Sequence, residues 1–288
     1  MRFPIPVVAV SLMFFVGIPA YSQQRPAPPA AMVPATASPF SYADVADLAT
    51  IAPLVVDARV RSASALPPER ALGISPDKVR IYVEADVIAL IRGAGPLAAR
   101  IAWLVDLPRD AKGRPPKLNK QRLLVFARPV STGQIALVAP DAQLAWDNPT
   151  DALVRRVVGE VVKTGSPTKV TGIANAFHQA GTLPGEGETQ FFVETASGEP
   201  LTLSVISAPG RARQWAAAFG EIVDGNAAVP ARDTLGWYRL ACELPRALPP
   251  GTLVGAGPRE QAAAIADYRF VLEQLGECRR NRTPSLRR

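Results

Sequence analysis

The sequence predicts an α+β fold. Its N-terminal part is β-rich and closes as a barrel-like or strongly bent sheet, its middle is an α/β domain, and its C-terminal part is a helical pair joined by one disulfide. Three observations carry this. Residues 51–140 hold five short apolar runs separated by Gly and Pro, the pattern of a small barrel. Residues 188–207 alternate apolar and polar side chains on both sides of Ser197-Gly198-Glu199, as a β-hairpin does. The two helical patterns near the end each carry one of the chain's two cysteines, Cys242 and Cys278.

Taken in order, residues 1–22 read as a secretory signal peptide. Arg2 precedes an apolar run, and Ala20-Tyr21-Ser22 supplies small residues for cleavage near Ser22,. The expected location is the periplasm or the exterior. Residues 23–39 hold five prolines and form a Pro/Ala-rich linker. The β-rich domain spans 40–145. It opens with a short helix over 40–50, for which Ser41 is a cap, and continues with strands near 54–60, 79–91, 101–107, 123–128 and 135–138. An oligonucleotide/oligosaccharide-binding type of barrel is one way to close five such strands.

The α/β domain spans 146–228. Asn148-Pro149-Thr150-Asp151 starts a helix. Leu153, Val157 and Val161, with Val154, Val158 and Val162 beside them, form its apolar face, and Gly165 ends it. This helix is expected to pack on a second sheet made of strands at 170–176, the hairpin 188–207 and 215–223. Residues 229–278 form a helical cap. Asp233 caps a helix that Pro245 stops. Pro258 starts another that runs to about Glu277, with Ile265, Leu272 and Leu275, and Tyr268 between them, as its apolar stripe.

Two cysteines in an exported chain predict a Cys242–Cys278 disulfide, contributing roughly 3–4 kcal/mol in the chain-entropy view. Both cysteines fall at helix C-terminal ends, and a simple antiparallel hairpin holds such ends apart. The Pro-rich link 245–257 is therefore expected to run back alongside, so that the helices cross or lie near-parallel.

The chemistry is narrowed by what is missing. His178 is the only histidine, so no multi-histidine metal site can form, and a bridged cysteine pair leaves no thiolate. There is no G-x-S-x-G, no phosphate loop and no dinucleotide fingerprint,. The acids Glu84, Asp86, Glu186, Glu188 and Glu194 fall at alternating strand positions or in a Gly-rich loop, where carboxylates are solvated. No catalytic residue, metal ligand or cofactor site is assigned. The net charge is +7, and Arg279, Arg280, Arg282, Arg287 and Arg288 supply five of those charges. The body is then close to neutral, which disfavours a nucleic-acid partner. The Arg-rich tail 279–288 reads as a solvated end that can meet an anionic surface. The loop 106–120, with five basic residues, reads as a solvated turn.

The expected function is that of an exported, non-enzymatic binding or accessory protein of the cell envelope, acting on an unknown protein or envelope component. The alternatives are a periplasmic hydrolase or isomerase using carboxylates or His178, and a structural or assembly component held at the envelope by its basic tail.

Overall fold

Strands 54 to 137 close on themselves because one of them has two partners. In the computed structural model, β1 (Leu54–Ala65) pairs antiparallel with both β2 (Lys78–Arg92) and β4 (Arg122–Ser131). β2 pairs with β3 (Arg100–Pro108), and β4 with β5 (Gln134–Leu137). β3 meets β5 in parallel through one residue pair, Ala102↔Gln134. The result is a closed five-stranded barrel in the order β1-β2-β3-β5-β4, with β6 (Gln143–Ala145) added beside β4. Register shifts in the β1–β2 ladder mark bulges at Val55/Val56, Asp57/Ala58 and Val60/Ser62. Such bulges bend a strand enough to serve two neighbours around a barrel.

The structure describes residues 37–220 and 227–282. The expected signal peptide, all of the linker before residue 37, the end of the expected strand 215–223, and Arg287 and Arg288 lie outside the described residues. Among the described residues no helix is long and apolar enough to cross a membrane.

Alternation fills the barrel. Val56, Ala58 and Val60 of β1, Ile81 and Val83 of β2, Trp103 and Val105 of β3, and Leu123 and Val125 of β4 form one buried cluster. The intervening Val55, Leu124 and Phe126 belong to a second buried cluster outside the barrel. β1 and β4 are thus buried on both faces where they meet, which is why 54–56 and 123–127 read as unbroken apolar runs,.

The outer cover is α1 (Tyr42–Ala49). Ser41 caps it through a reciprocal box: the Ser41 side chain accepts from Asp44 N–H, and the Asp44 carboxylate accepts from Ser41 N–H,. α2 (Asn148–Val162) is capped by Asp147, one residue ahead of the expected start. It packs chiefly on α1, with α3 and β2 beside it, and not on the second sheet as its sequence suggested. α1 takes the place next to the barrel wall, and the helices covering the sheet come from the C-terminal part.

That sheet runs β10-β9-β8-β7, all antiparallel. It comprises β7 (Val170–Ala180), β8 (Gly187–Thr195), β9 (Leu201–Ser207) and β10 (Gln214–Phe219). β8 and β9 form the expected hairpin. Gly198 sits in its turn at φ 77°, where a side chain is disfavoured. Phe191, Val193, Leu201, Leu203 and Val205 face inward towards α3 (Leu235–Glu243) and α4 (Pro258–Leu275), which lie on β7 and β8.

Two expectations about these helices need correction. The cap of α3 is Thr234, whose hydroxyl accepts from Trp237 N–H; Asp233 stands outside the helix in the left-handed region at φ 59°. The buried stripe of α4 is Ala264, Asp267, Tyr268, Val271 and Leu275, while Ile265 is 47% exposed. A small residue at 264 lets the helix approach the sheet, and that turns Ile265 outward.

The disulfide joins Cys242 to Cys278 with Cα atoms 5.2 Å apart. The link 245–257 does run back along the body: Thr252 O accepts the N–H of Ala176 at 2.9 Å, covering part of the free edge of β7. Beyond Cys278 the chain turns onto α1. The Asp44 carboxylate accepts backbone N–H bonds from Asn281 (2.9 Å) and Arg282 (3.1 Å) besides that from Ser41.

Candidate functional site

The barrel wall is thinnest where β3 and β5 part. After Ala102↔Gln134 the two strands hold no further ladder pair, and a groove of about 1050 Å³ lies against them. Its floor and walls come from Tyr82 of β2, Ala102 to Asp106 of β3, Val130 of β4 and 134–140 of β5 and beyond. The β1–β2 connection closes one end with Leu66, Pro67 and Arg70.

Its outer surface is apolar. Tyr82 and Leu104 face each other across the β2–β3 ladder at 37% and 47% exposure, and Val130 is 57% exposed. Side by side they make a patch of the kind that marks contact surfaces. Two of the three charged residues of the lining are matched to each other. Arg80 grips Asp106 through two bonds of 2.7 and 2.8 Å, and the hydrogen bond to Asp106 raises the Arg80 pKa above its ordinary value. Arg70 is the remaining basic residue of the lining.

The charge of the body is divided, which its near-neutral total hides. Residues 54–145 carry 14 Lys and Arg against 8 Asp and Glu, whereas 146–278 carry 11 against 15. The barrel is the positive part of the body and the second sheet with its helices the negative part.

The Arg-rich segment is less free than expected. Arg280 makes two bonds to Asp47, of 2.6 and 3.0 Å, and the hydrogen bond to Asp47 raises its pKa. Arg282 reaches Asp141 at 2.6 Å with its side chain almost covered. Arg279 is exposed and pairs with Glu277. The solvated end inferred from composition is, for residues 280–282, a strap pinned to α1 and to the β5–β6 connection.

His178 is in company that its sequence context did not reveal. Its Nδ1 lies 2.7 Å from Thr189 Oγ1, and that buried hydroxyl donates to Asp267 Oδ2. With Thr189 as donor to Asp267, it accepts from Nδ1–H, so the proton of a neutral ring sits on Nδ1. Arg213 Nη1 stands 3.3 Å from Asp267 Oδ1. Gly187 lies against the ring: a Cβ there would sit 2.9 Å from His178 Cε1. The network ties β7 and β8 to α4 beside the tilted aromatic pair Phe191–Tyr268, whose ring centroids are 5.3 Å apart. Asp267 and Thr189 were missed. The available signal was an acid placed one residue before Tyr268, within the 264/268/271/275 spacing.

The expected acids do not converge. Glu84 accepts from the Ser62 hydroxyl at 2.7 Å, and Asp86 pairs with Arg61 and Arg100 at the surface. On the second sheet and its loop, Glu186 accepts from the N–H groups of Thr182 and Leu183, and Glu188 from Gln190. Glu194 approaches Gly172 across the β7–β8 ladder. Among the described residues no group of three or more His, Cys, Asp or Glu is placed to hold a metal ion. No protein-family model matches the chain, and no curated protein sequence matches it.

Proposed function

We propose that the chain is an exported binding module of the cell envelope and that the β2–β3–β5 groove is its contact surface. On this reading the barrel, 54–145, is the binding body, and the second sheet with its helices is the scaffold that backs it. The carrying observation is the open groove with Tyr82, Leu104 and Val130 unburied at its rim. The strand order supports it. A closed barrel of this connectivity resembles the oligonucleotide/oligosaccharide-binding barrel, which uses its strand 2–3 face and neighbouring loops for ligands. Fold likeness alone does not assign a ligand. Export is supported by the first 22 residues and by the disulfide, which forms and persists in oxidising compartments,.

The test is site-specific photo-crosslinking in intact cells, from position 82 or 104 and, as the contrast, from position 279. A discrete adduct from the groove positions and none from 279 is the expected result. Adducts from 279 with none from 82 or 104 would move the function to the basic strap and favour an assembly component held by its arginines.

A further inference from the structure

A second cavity, of about 590 Å³, shares no lining residue with the groove. Segments distant in sequence build it: 37–43 at the start of α1, 149–156 of α2, 232–237 at the start of α3, and the strap after Cys278. Three of them each bring one arginine, Arg156, Arg232 and Arg279, and among the described residues the lining has one carboxylate, that of Asp233.

Two of these guanidinium groups are held on aromatic faces. Arg156 Cζ stands 5.4 Å over the Tyr42 ring, and Arg232 Cζ stands 5.0 Å over the Trp237 ring. The two rings are buried and meet edge to face, with centroids 6.5 Å apart. Each ring is fixed at its polar end. The Tyr42 hydroxyl donates to Glu160 Oε2 at 2.8 Å, and Trp237 Nε1–H donates to Leu275 O at 2.9 Å. Among the described residues neither arginine pairs with a carboxylate. Arg156 donates to Asp233 O at 3.1 Å and Arg232 to Glu277 O at 3.4 Å. Elsewhere in the chain Arg80, Arg122, Arg239 and Arg280 each hold an Asp or Glu at 2.6 or 2.7 Å. Stacking occupies the face of a guanidinium and leaves its N–H edge for an oxyanion. Arg279 stands at the rim, shared with Glu277 at 3.0 Å. The bridge from Cys242 to Cys278 anchors its backbone there.

We propose that this cavity binds a phosphate ester. Arg156 and Arg232 take the phosphoryl oxygens, and Phe40, Pro149 and Leu153 of the lining take the organic part. Arginines from separate segments suit an anion with several oxygens better than a single carboxylate does. The volume lies within the range of small-molecule sites, about 300–1,000 Å³, and exceeds what a lone oxyanion fills. The inference goes beyond the reading of the groove as contact surface. The two linings are separate, so either can fail without the other. A soluble ester and a phospholipid headgroup present the same phosphoryl chemistry, and the test separates them.

The experiment is titration calorimetry of the purified protein with phenyl phosphate, with inorganic phosphate and benzoate as contrasts. Phenyl phosphate should bind at least about 10-fold tighter than either. Arg156→Gln and Arg232→Gln should each weaken it about 10- to 100-fold, the size of a lost charge-assisted hydrogen bond. Asp233→Asn guards against an effect through the fold. Asn tolerates the left-handed backbone at φ 59°,, and the change removes the opposing charge. It should tighten binding about 3-fold, which no loss of structure would do. Sedimentation with phosphatidylglycerol vesicles is the second arm. Pelleting that the double arginine variant loses assigns a lipid headgroup, and calorimetric binding without pelleting assigns a soluble ester. Neither binding nor pelleting, or binding of either probe that both arginine substitutions leave intact, overturns the site. Losses in the arginine variants without tightening in Asp233→Asn would assign the arginines to the fold and also overturn it.

Discussion

The barrel has two seams of opposite character. At β1–β4 six consecutive residues pair, from Leu54↔Ala127 to Arg59↔Arg122. Both faces there are buried, and α1 lies over the outside. At β3–β5 a single pair is made and the outer face is bare. The two seams are built from similar side chains, Val, Leu, Ile and Ala, so composition does not separate them. What differs is whether a helix covers the wall. Burial on two faces makes a seam structural, and a seam with neither cover nor ladder is left with surface to offer.

Four perturbations test this contrast, in falling order of expected effect. The closed seam contains a buried charge: Asp57 is fully covered and is held by Arg122 through bonds of 2.9 and 2.6 Å. Arg122 in turn stacks 3.7 Å above Trp146. Removing one partner of a buried pair costs about 3–5 kcal/mol. Asp57→Ala should fall near the lower end, since Arg122 retains access to water, and urea unfolding would measure it. Next, Cys242→Ser with Cys278→Ser should cost about 3–4 kcal/mol for a 36-residue separation,; an unchanged midpoint would show that the helices need no bridge to back the sheet.

Smaller again is Asp44→Ala, which strips three backbone N–H groups of their acceptor at the α1 end of the closed seam. A loss of about 2–3 kcal/mol is expected, with the 280–282 amides becoming fast in hydrogen exchange. The smallest effect belongs to the open seam. Leu104→Ser should change stability by less than about 0.5 kcal/mol while removing the groove crosslink. If it proved as costly as Asp57→Ala, the distinction between the seams would be lost.

Much of the strand layout was legible, because alternation reports the face that each residue turns inward. Of the ten strands among the described residues all but β6 were anticipated, and three residues are too few to show a period. A barrel-like closure was one of the two readings the strand pattern allowed, but the pair of strands that makes it was not legible. It depends on Leu54–Arg59 finding Arg122–Ala127 at a distance in sequence that no local pattern encodes. The proposed contact surface was the least legible part, since the exposure of Tyr82, Leu104 and Val130 depends on which strand faces the rest of the chain leaves uncovered. The α4 stripe was misread by one residue because Ile265 outweighs Ala264 in hydrophobicity, although the small residue is the one that fits against the sheet. Counting the arginines of the last ten residues as the source of the basic charge concealed a positive barrel and a negative scaffold.

The strap on Asp44 has a consequence for the order of events in the life of the chain. Asp44 is among the first described residues to be synthesised, and Asn281 and Arg282 are among the last. While the chain emerges from the ribosome or a translocation pore, α1 can cap itself with Ser41 but cannot fill its buried carboxylate. The helix that seals the barrel therefore stays provisional until residue 282 is free, and maturation of the barrel becomes a readout of synthesis through residue 282. Chains interrupted before that point should be cleared faster than those that pass it, which pulse-chase of a chain ending at residue 279 would show as a shortened half-life.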